Sequence, residues 1–478
     1  KVSPKLTLNL GVRYEFATPQ YERDNRMSNF VPSQATMVPV TDGDMFARSG
    51  VHPDRNNWAP RVGFAYTLTP KTVVRSGYGI SYVHFNRLGA ENLLAENYPY
   101  FFSVRITQQP SMGLCTSGSQ EPGTCFRVAT MGLPAGLADP ARVPLANQGW
   151  NYYIPSDIRT GYVQSWHFTI QREIARDLLL DLAYVGSRSV KLVILGDANQ
   201  ARVNQPGENT PLQQRRPYKG LQNIEQSIPA GTGAYHGLQA KLERRFLSGF
   251  YLLNSFTWSK AIDNAAGHLE VSYNDNSRVN FYDLKSEKGI SNYNQPFNNT
   301  TTILYDLPYG RGRAFGKNIP GVLDAVLGGW RLTGINTMTS GQPFTLRYSA
   351  PSAFQVSGMP SYRPNLIGPI LTPESERSID NYLSKTNVVA PTDSRYPFGS
   401  ASRNMTRGYA FYNLDMGLHK QFQLPGEDRR IEFRSEFFNL FNKTNFVTPD
   451  ATLGSATYGL IRSTFPARMI QFGVKIYF

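Results

Sequence analysis

The sequence predicts an all-β protein, an antiparallel up-and-down barrel that crosses a membrane, on three observations. Apolar and polar side chains alternate over many segments of about nine to eleven residues, the length a tilted strand needs to cross a bilayer. The connections between these segments are lopsided, short turns exchanging regularly with long loops. No apolar run approaches the roughly 18 residues of a membrane helix, so the apolar residues serve strands.

LTLNLGVRYEF opens the series, with Leu6, Leu8, Leu10, Val12, Tyr14 and Phe16 on one face and Thr7, Asn9, Gly11, Arg13 and Glu15 on the other. Successive side chains of a strand point to opposite faces, so this period of two argues a strand rather than a helix. WAPRVGFAYTL follows, setting Trp58, Val62, Phe64, Tyr66 and Leu68 against Arg61, Gly63, Ala65 and Thr67. A turn at Thr69-Pro70-Lys71 leads into TVVRSGYGISY, where Val74, Tyr78, Ile80 and Tyr82 oppose Arg75, Gly77, Gly79 and Ser81.

The same pattern returns in SWHFTIQRE and LLLDLAYVG, joined at Ala175-Arg176-Asp177, and in GLQAKLERRF and FYLLNSFTW, joined at Leu247-Ser248-Gly249. TTILYDL and WRLTGINTM are separated by the Gly-rich link PYGRGRAFGKNIPGVLDAVLGG, read as flexible and basic. NLDMGLHKQF and RIEFRSEFF meet through LPGEDRR, and IQFGVKIYF ends the chain at Phe478. These make about twelve strands.

In a meander, alternate connections lie on the same edge. One edge therefore carries tight turns and the other loops of roughly thirty to eighty residues, far beyond hairpin lengths. A soluble sandwich has no reason for that bias, whereas an outer-membrane barrel has short periplasmic turns and long outside loops. Tyr14, Phe16, Trp58, Tyr82, Trp166, Trp258 and Phe478 fall near segment ends, as an aromatic girdle at the water interfaces predicts.

If the apolar face meets lipid, the opposite face lines a lumen. The candidates are Arg13, Glu15, Arg61, Arg75, His167, Asp181, Lys241, Glu243, Arg245, Asp306, Arg331, Asp415, His419, Glu432, Arg434, Glu436 and Lys475. Charges of both signs on one wall suit a water-filled pore, contact with an inserted plug, or plain cross-strand pairing.

Composition sets outer bounds. The 478 residues carry a net charge of +14 but are only 18% charged, and the cations are dispersed. Without a basic run or a reader module, nucleic acid is not an expected partner; lipid headgroups are the better counter-charge. Cys115 and Cys125 flank a Gly-, Ser- and Pro-rich stretch. Facing an oxidising space they close a disulfide, and facing a reducing one they stay free. KVSPKLTLNL is no secretion signal, and it reads as a turn leading into a strand, so a preceding strand is expected.

Catalytic chemistry is not in view. The six histidines, at 52, 84, 167, 236, 268 and 419, show no metal spacing, and no nucleophile elbow or phosphate loop occurs. GRGRAFG follows no strand–helix unit and is not a phosphate cradle. EVSYNDNSRVNFYDLKSE lacks the central Gly of a calcium loop, although divalent-ion binding by loops stays open. The expectation is therefore no enzyme, no cofactor and no metal site. YPYFFS and WNYYIP are aromatic loop stretches suited to ligand contact or to loop–loop packing.

These residues resemble a known family. NNWAPRVGFAYTLTPKTVVRSGYGISY, VQSWHFTIQREI, LLLDLAYVGSRS, YHGLQAKLERRF, NSFTWSKAIDN, LGGWRLTGINTMTSGQPFT, NLDMGLHKQFQL, RIEFRSEFFNLFNKTNF and PARMIQFGVKIYF are similar to the C-terminal barrel portion of Oar-like TonB-dependent outer-membrane transporters. The resemblance implies a barrel of about twenty-two strands, the size that encloses a plugged lumen. Residues 1–478 would be one barrel domain, the C-terminal part of it, with plug and N-terminal domains lying outside this chain. It implies import of a bulky nutrient driven through TonB, which would be reached through that missing part. Expected partners are outer-membrane lipid and lipopolysaccharide, and the barrel-assembly machinery reading Phe472, Val474, Ile476 and Phe478 as its signal. A structural or export-linked barrel that binds surface partners without energy coupling is the alternative.

Overall fold

The computed structural model describes all residues except 1, 85–92, 102–107, 117–124, 133–148, 266–277, 357–361 and 425–428. One antiparallel meander dominates it. Its strands are β1 (Leu6–Tyr14), β2 (Trp58–Thr69), β3 (Thr72–Val83), β4 (Gly161–Ala175), β5 (Leu178–Asp197), β6 (Ile224–Leu247), β7 (Phe250–Asp263), β8 (Phe297–Asp306), β9 (Trp330–Thr339), β10 (Phe411–Gln423), β11 (Arg430–Phe438) and β12 (Met469–Tyr477). Each pairs with its neighbours in this order, and β1 and β12 each have one neighbour. The short strands Asn151–Tyr153, Arg278–Val279 and Gly289–Ile290 add to β6, β5 and β7 above the wall.

The register keeps most of the apolar rows on one face. Leu8 lies opposite Phe64 and Val62 opposite Tyr78, and at the far edge Phe433 lies opposite Val474. A one-residue slip would exchange the faces. This apolar face is bare: Val12 is 67% exposed and Phe472 69%. Aromatic pairs close the band at its edges, Tyr14 on Trp58 at 4.7 Å and Tyr82 on Tyr162 at 5.8 Å toward the loops, Phe250 on Tyr305 at 5.8 Å toward the turns. Trp166, expected in the upper girdle, instead stands well inside β4, its ring over Gly186 of β5 in register. A Cβ on Gly186 would come within 2.4 Å of that ring, so the glycine makes the space the indole fills.

The tight turns obey backbone sterics. Ser248 and Gly249 both have positive φ, 53° and 80°, the pair of left-handed residues that matches the twist of a two-residue hairpin. Two expectations need correction. β5 and β6 run far past the segments 178–186 and 237–246 where the alternation is clean, to 20 and 24 residues. Register shifts between Ser189 and Ile194 break the period of two, so periodicity stops signalling while the pairing continues. Gly161 and Gly231 permit the close approach there, since a Cβ on either would meet a backbone oxygen at 2.6 Å. The link 307–329 is not simply flexible either; it is held by hydrogen bonds and contains the helix Gly321–Leu327.

Among the described residues, the buried hydrophobic clusters lie in the loops and at the loop-side end of β6, not between layers of the sheet. Phe344, Leu346, Leu383, Val388, Tyr458 and Ile461 form one cluster. Met27, Val40, Val51, Leu94 and Ile154 form another, and Phe30, Met37 and Ile224 a third. Short two-stranded sheets, such as Ser28–Val31 with Thr36–Pro39, frame them. The long connections thus build a folded canopy on one edge of the wall.

Candidate functional site

The polar face of the wall runs from this canopy to the turn edge, near which its best-connected charges lie. The strand register brings Asp306, Arg331, His419 and Arg434 into one row across β8 to β11. Arg331 donates to both carboxylate oxygens of Asp306, at 2.6 and 3.3 Å. Arg434 pairs with Glu432, which also accepts from the Tyr477 hydroxyl at 3.2 Å. Lys475 stands opposite Glu432. Opposite signs on adjacent strands, as in Asp306 with Arg331 and Glu432 with Lys475, are what cross-strand attraction favours.

The other expected residues of this face are less connected. Lys241 meets Glu243 at 2.6 Å. Asp181 lies opposite Gln171 and Lys241 in register, with one carboxylate oxygen buried and without a partner among the described residues. Arg75 donates to Gln171 at 2.9 Å. With Arg61 and His167 it lines an open concavity of about 580 Å³. Asp415 accepts from the Asn413 side chain and the Asn439 backbone, both at 2.8 Å. Arg13 pairs with Glu15 at 3.3 Å, and Glu15 reaches His84 at 3.1 Å. Glu436 sits between Gly417 and Gln471, and Arg245 is exposed beside the turn.

Sequence reasoning missed the residues that hold the canopy together. Asp197 and Arg216 pair at 3.1 Å with side chains at most 1% exposed. Asp197 also accepts from the backbone of Asn199 and Ile224 at 2.9 and 3.0 Å, and Arg216 donates to Asn199 O at 2.7 Å. Glu287 and Arg363 form a second buried pair at 2.8 Å, and the buried Arg403 pairs with the half-buried Asp263. Arg215 donates to the carbonyls of Thr210, Arg202 and Gln355 at 2.8, 2.5 and 2.6 Å, tying the 198–223 loop to the 340–410 loop. Burial pushes its guanidinium down from the usual arginine value. No periodicity or motif marks these residues, because only folding brings the partners together, Asp197 and Asp263 from strand ends and the others from loops.

Two cavities open in the canopy. One of about 260 Å³ is lined mostly by apolar groups, including Met27, Val51, Leu94 and Ile154, together with His52 and Asp54. Burial alone would raise the Asp54 carboxyl, but hydrogen bonds from the Thr160 backbone and Arg159 outweigh it and hold the group below the usual aspartate value. The other, about 570 Å³, is lined by Arg202, Arg215, Tyr282, Tyr396 and Phe398 among others. Cys115 and Cys125 are joined in a disulfide, braced by backbone hydrogen bonds between Cys115 and Phe126 and between Phe126 and Gly113, at 2.9 and 2.7 Å. Of the aromatic loop stretches, Tyr152 of WNYYIP is bonded through its backbone to the side chain of Asn97, the residue before YPYFFS; Phe102 and Ser103 of YPYFFS and residues 270–277 of EVSYNDNSRVNFYDLKSE lie outside the described residues. No cluster of three metal-binding side chains occurs among the described residues.

Residues 1–471 match the family model described as outer membrane beta barrel domain. The chain belongs to that family. It is a membrane barrel protein of the bacterial outer membrane, in a family that is not a class of enzymes, and its bare apolar face is the surface such barrels turn to lipid. Among solved structures it is similar to the siderophore receptor PirA from Acinetobacter baumannii, at 10% identity and a TM-score of 0.46, over 100% of this chain and 44% of that one. It is also similar to P. aeruginosa FpvA bound to heterologous pyoverdines, at 10% identity and 0.43, over 99% and 36%. A third is the ferric-catecholate import receptor Fiu from K12 E. coli, at 10% and 0.40, over 100% and 43%. The chain spans less than half the length of each. No curated protein matches the sequence.

Proposed function

We propose that the chain is the C-terminal barrel domain, with its ligand-capturing canopy, of a transporter that imports a bulky nutrient using energy delivered by TonB. One observation carries this reading: a polar wall with charges of both signs bears, along one edge, loops that are themselves folded and cross-tied. A diffusion pore gains nothing from such a canopy, whereas a receptor needs a shaped surface to select its ligand before passage.

On this reading Arg13, Glu15, Arg61, Arg75, Asp181, Lys241, Glu243, Arg245, Arg331, Asp415, Glu432, Arg434 and Glu436 face the interior of a larger wall. The plug and the TonB-contacting segment of the same protein would lie against it. The two wall edges at β1 and β12 support this, because an unpaired edge in lipid leaves backbone groups unsatisfied at several kcal/mol each. Phe472, Val474, Ile476 and Phe478 would be read by the assembly machinery as β12 joins the wall.

The test is competitive growth of cells with and without the full gene on single limiting nutrients. A growth advantage that disappears on deleting TonB, or on dissipating the proton-motive force, is the expected result. An advantage that survives both would replace the importer by a surface barrel that works without energy coupling.

A further inference from the structure

The link between β8 and β9 belongs to the short-turn edge, yet it spans residues 307–329 and carries the helix Gly321–Leu327. In that helix Val322, Leu323, Val326 and Leu327 share one face by the 3.6-residue repeat. All four are exposed, Val322 at 80% and Val326 at 61%, and they make a second bare apolar surface in the molecule.

Its position decides what that surface meets. Trp330 and Lys420 are in register on the lipid-facing side of β9 and β10. The Trp330 indole N–H donates to Val326 O at 2.9 Å. The Lys420 ammonium donates to the carbonyls of Gly328 and Asp324, the latter at 3.4 Å, at the C-terminal end of the helix. There it complements the negative end of the helix dipole. Both ties come from the outer side of the wall, so the helix rests on the lipid-facing rim and is not turned into the interior. Phe422, on the same outward row of β10, and Leu424, just past the end of that strand, are also exposed.

The rest of the link has the composition of an interface. Phe315 is exposed, as are Arg311 and Lys317, while Arg313 reaches back to Asp306 at 3.8 Å; the link holds one acidic residue, Asp324. Asp324 is occupied internally, accepting from the Arg311 backbone at 2.7 Å. Cations beside an apolar helix face are what a helix lying in a headgroup layer presents to anionic lipid.

We propose that the 307–329 link is a membrane-interface anchor whose Val322, Leu323, Val326 and Leu327 insert into the periplasmic phospholipid leaflet, beside the barrel wall. The apolar helix face continues the lipid-facing band through Trp330 and Phe422, and the link's cations meet phosphate. The anchor fixes the height of β8 and β9 in the bilayer, and it depends on the outer-membrane location of the chain rather than on the import reading.

Environment-sensitive fluorophores attached to Val322→Cys and Val326→Cys test this in the full-length protein, reconstituted in phospholipid vesicles with the native disulfide left oxidised. The control is the same label at Lys71→Cys in the β2–β3 turn, on the same edge. Blue-shifted emission at 322 and 326, with quenching by nitroxide-bearing phospholipid several-fold stronger than at 71, is expected. Water-like, unquenched emission at both helix positions overturns the proposal. So does blue-shifted emission that nitroxide lipid leaves unquenched, which would show a protein covering the helix.

Discussion

A methyl group added at Gly186 has nowhere to go, because the Trp166 ring already occupies the space above that backbone. Overpacking of this kind costs about 1–3 kcal/mol, and here it would also expel an indole. Gly186→Ala is therefore expected to lower the amount of assembled protein and to shift its tryptophan emission. Gly11→Ala, where a Cβ meets nothing within 4 Å, is the matched control and should do neither. A second single-residue effect concerns acid. The Asp54 carboxyl is depressed below 3.8 in the folded protein, so its contribution is fully present above the unfolded value and is lost as pH falls through the lower folded one. The Thr160 amide, which donates to Asp54 at 2.9 Å, should stay protected from hydrogen exchange at every pH above 3.8. Lost protection at pH 5 would contradict that assignment.

Among elements, the contrast is between strands that are ordered by pairing and loops that are ordered by buried charge. β5 and β6 owe their length to a ladder that survives two irregularities, whereas the 198–223 loop between them is held by Arg215 and Arg216. Removing one member of a buried, hydrogen-bonded pair strands the other charge, at a cost of about 3–5 kcal/mol. Arg216→Ala should thus open the 198–223 loop to protease while the wall stays intact, and Arg216→Met with Asp197→Asn, which removes both charges but keeps an acceptor for the Asn199 and Ile224 amides, should cost much less. Equal sensitivity of the two variants would show that geometry rather than charge holds the loop.

For the whole molecule, the two solvents of the chain are visible in its surfaces. Most charges of the polar wall and canopy are paired internally, while none of the described residues covers the outward face from Leu8 to Phe472. At about 25 cal/mol per Å² of apolar surface removed from water, lipid is the medium in which this face is stable. The full-length protein should accordingly remain in the membrane pellet through high-salt and alkaline washes, and leave it only in detergent. Release by salt alone would remove the membrane assignment.

The strand periodicity was legible residue by residue. Leu6 to Phe16, or Ile470 to Phe478, can be read as one bare and one polar face because a pleated strand translates order in sequence directly into side of the sheet. The lopsided turns were legible for the same local reason. Trp166 was misread because the space it fills belongs to Gly186 on another strand. The full lengths of β5 and β6 were hidden where bulges break the alternation. The pairs Asp197–Arg216 and Glu287–Arg363 were invisible, since folding alone brings such partners together and no local rule records which loops will touch. The sequence by itself therefore determined that the chain is a membrane wall, because that depends on period and length. Only the tertiary structure decided that its loops form a cross-tied canopy and that a helix lies on its rim, because those depend on contacts between segments far apart in the chain.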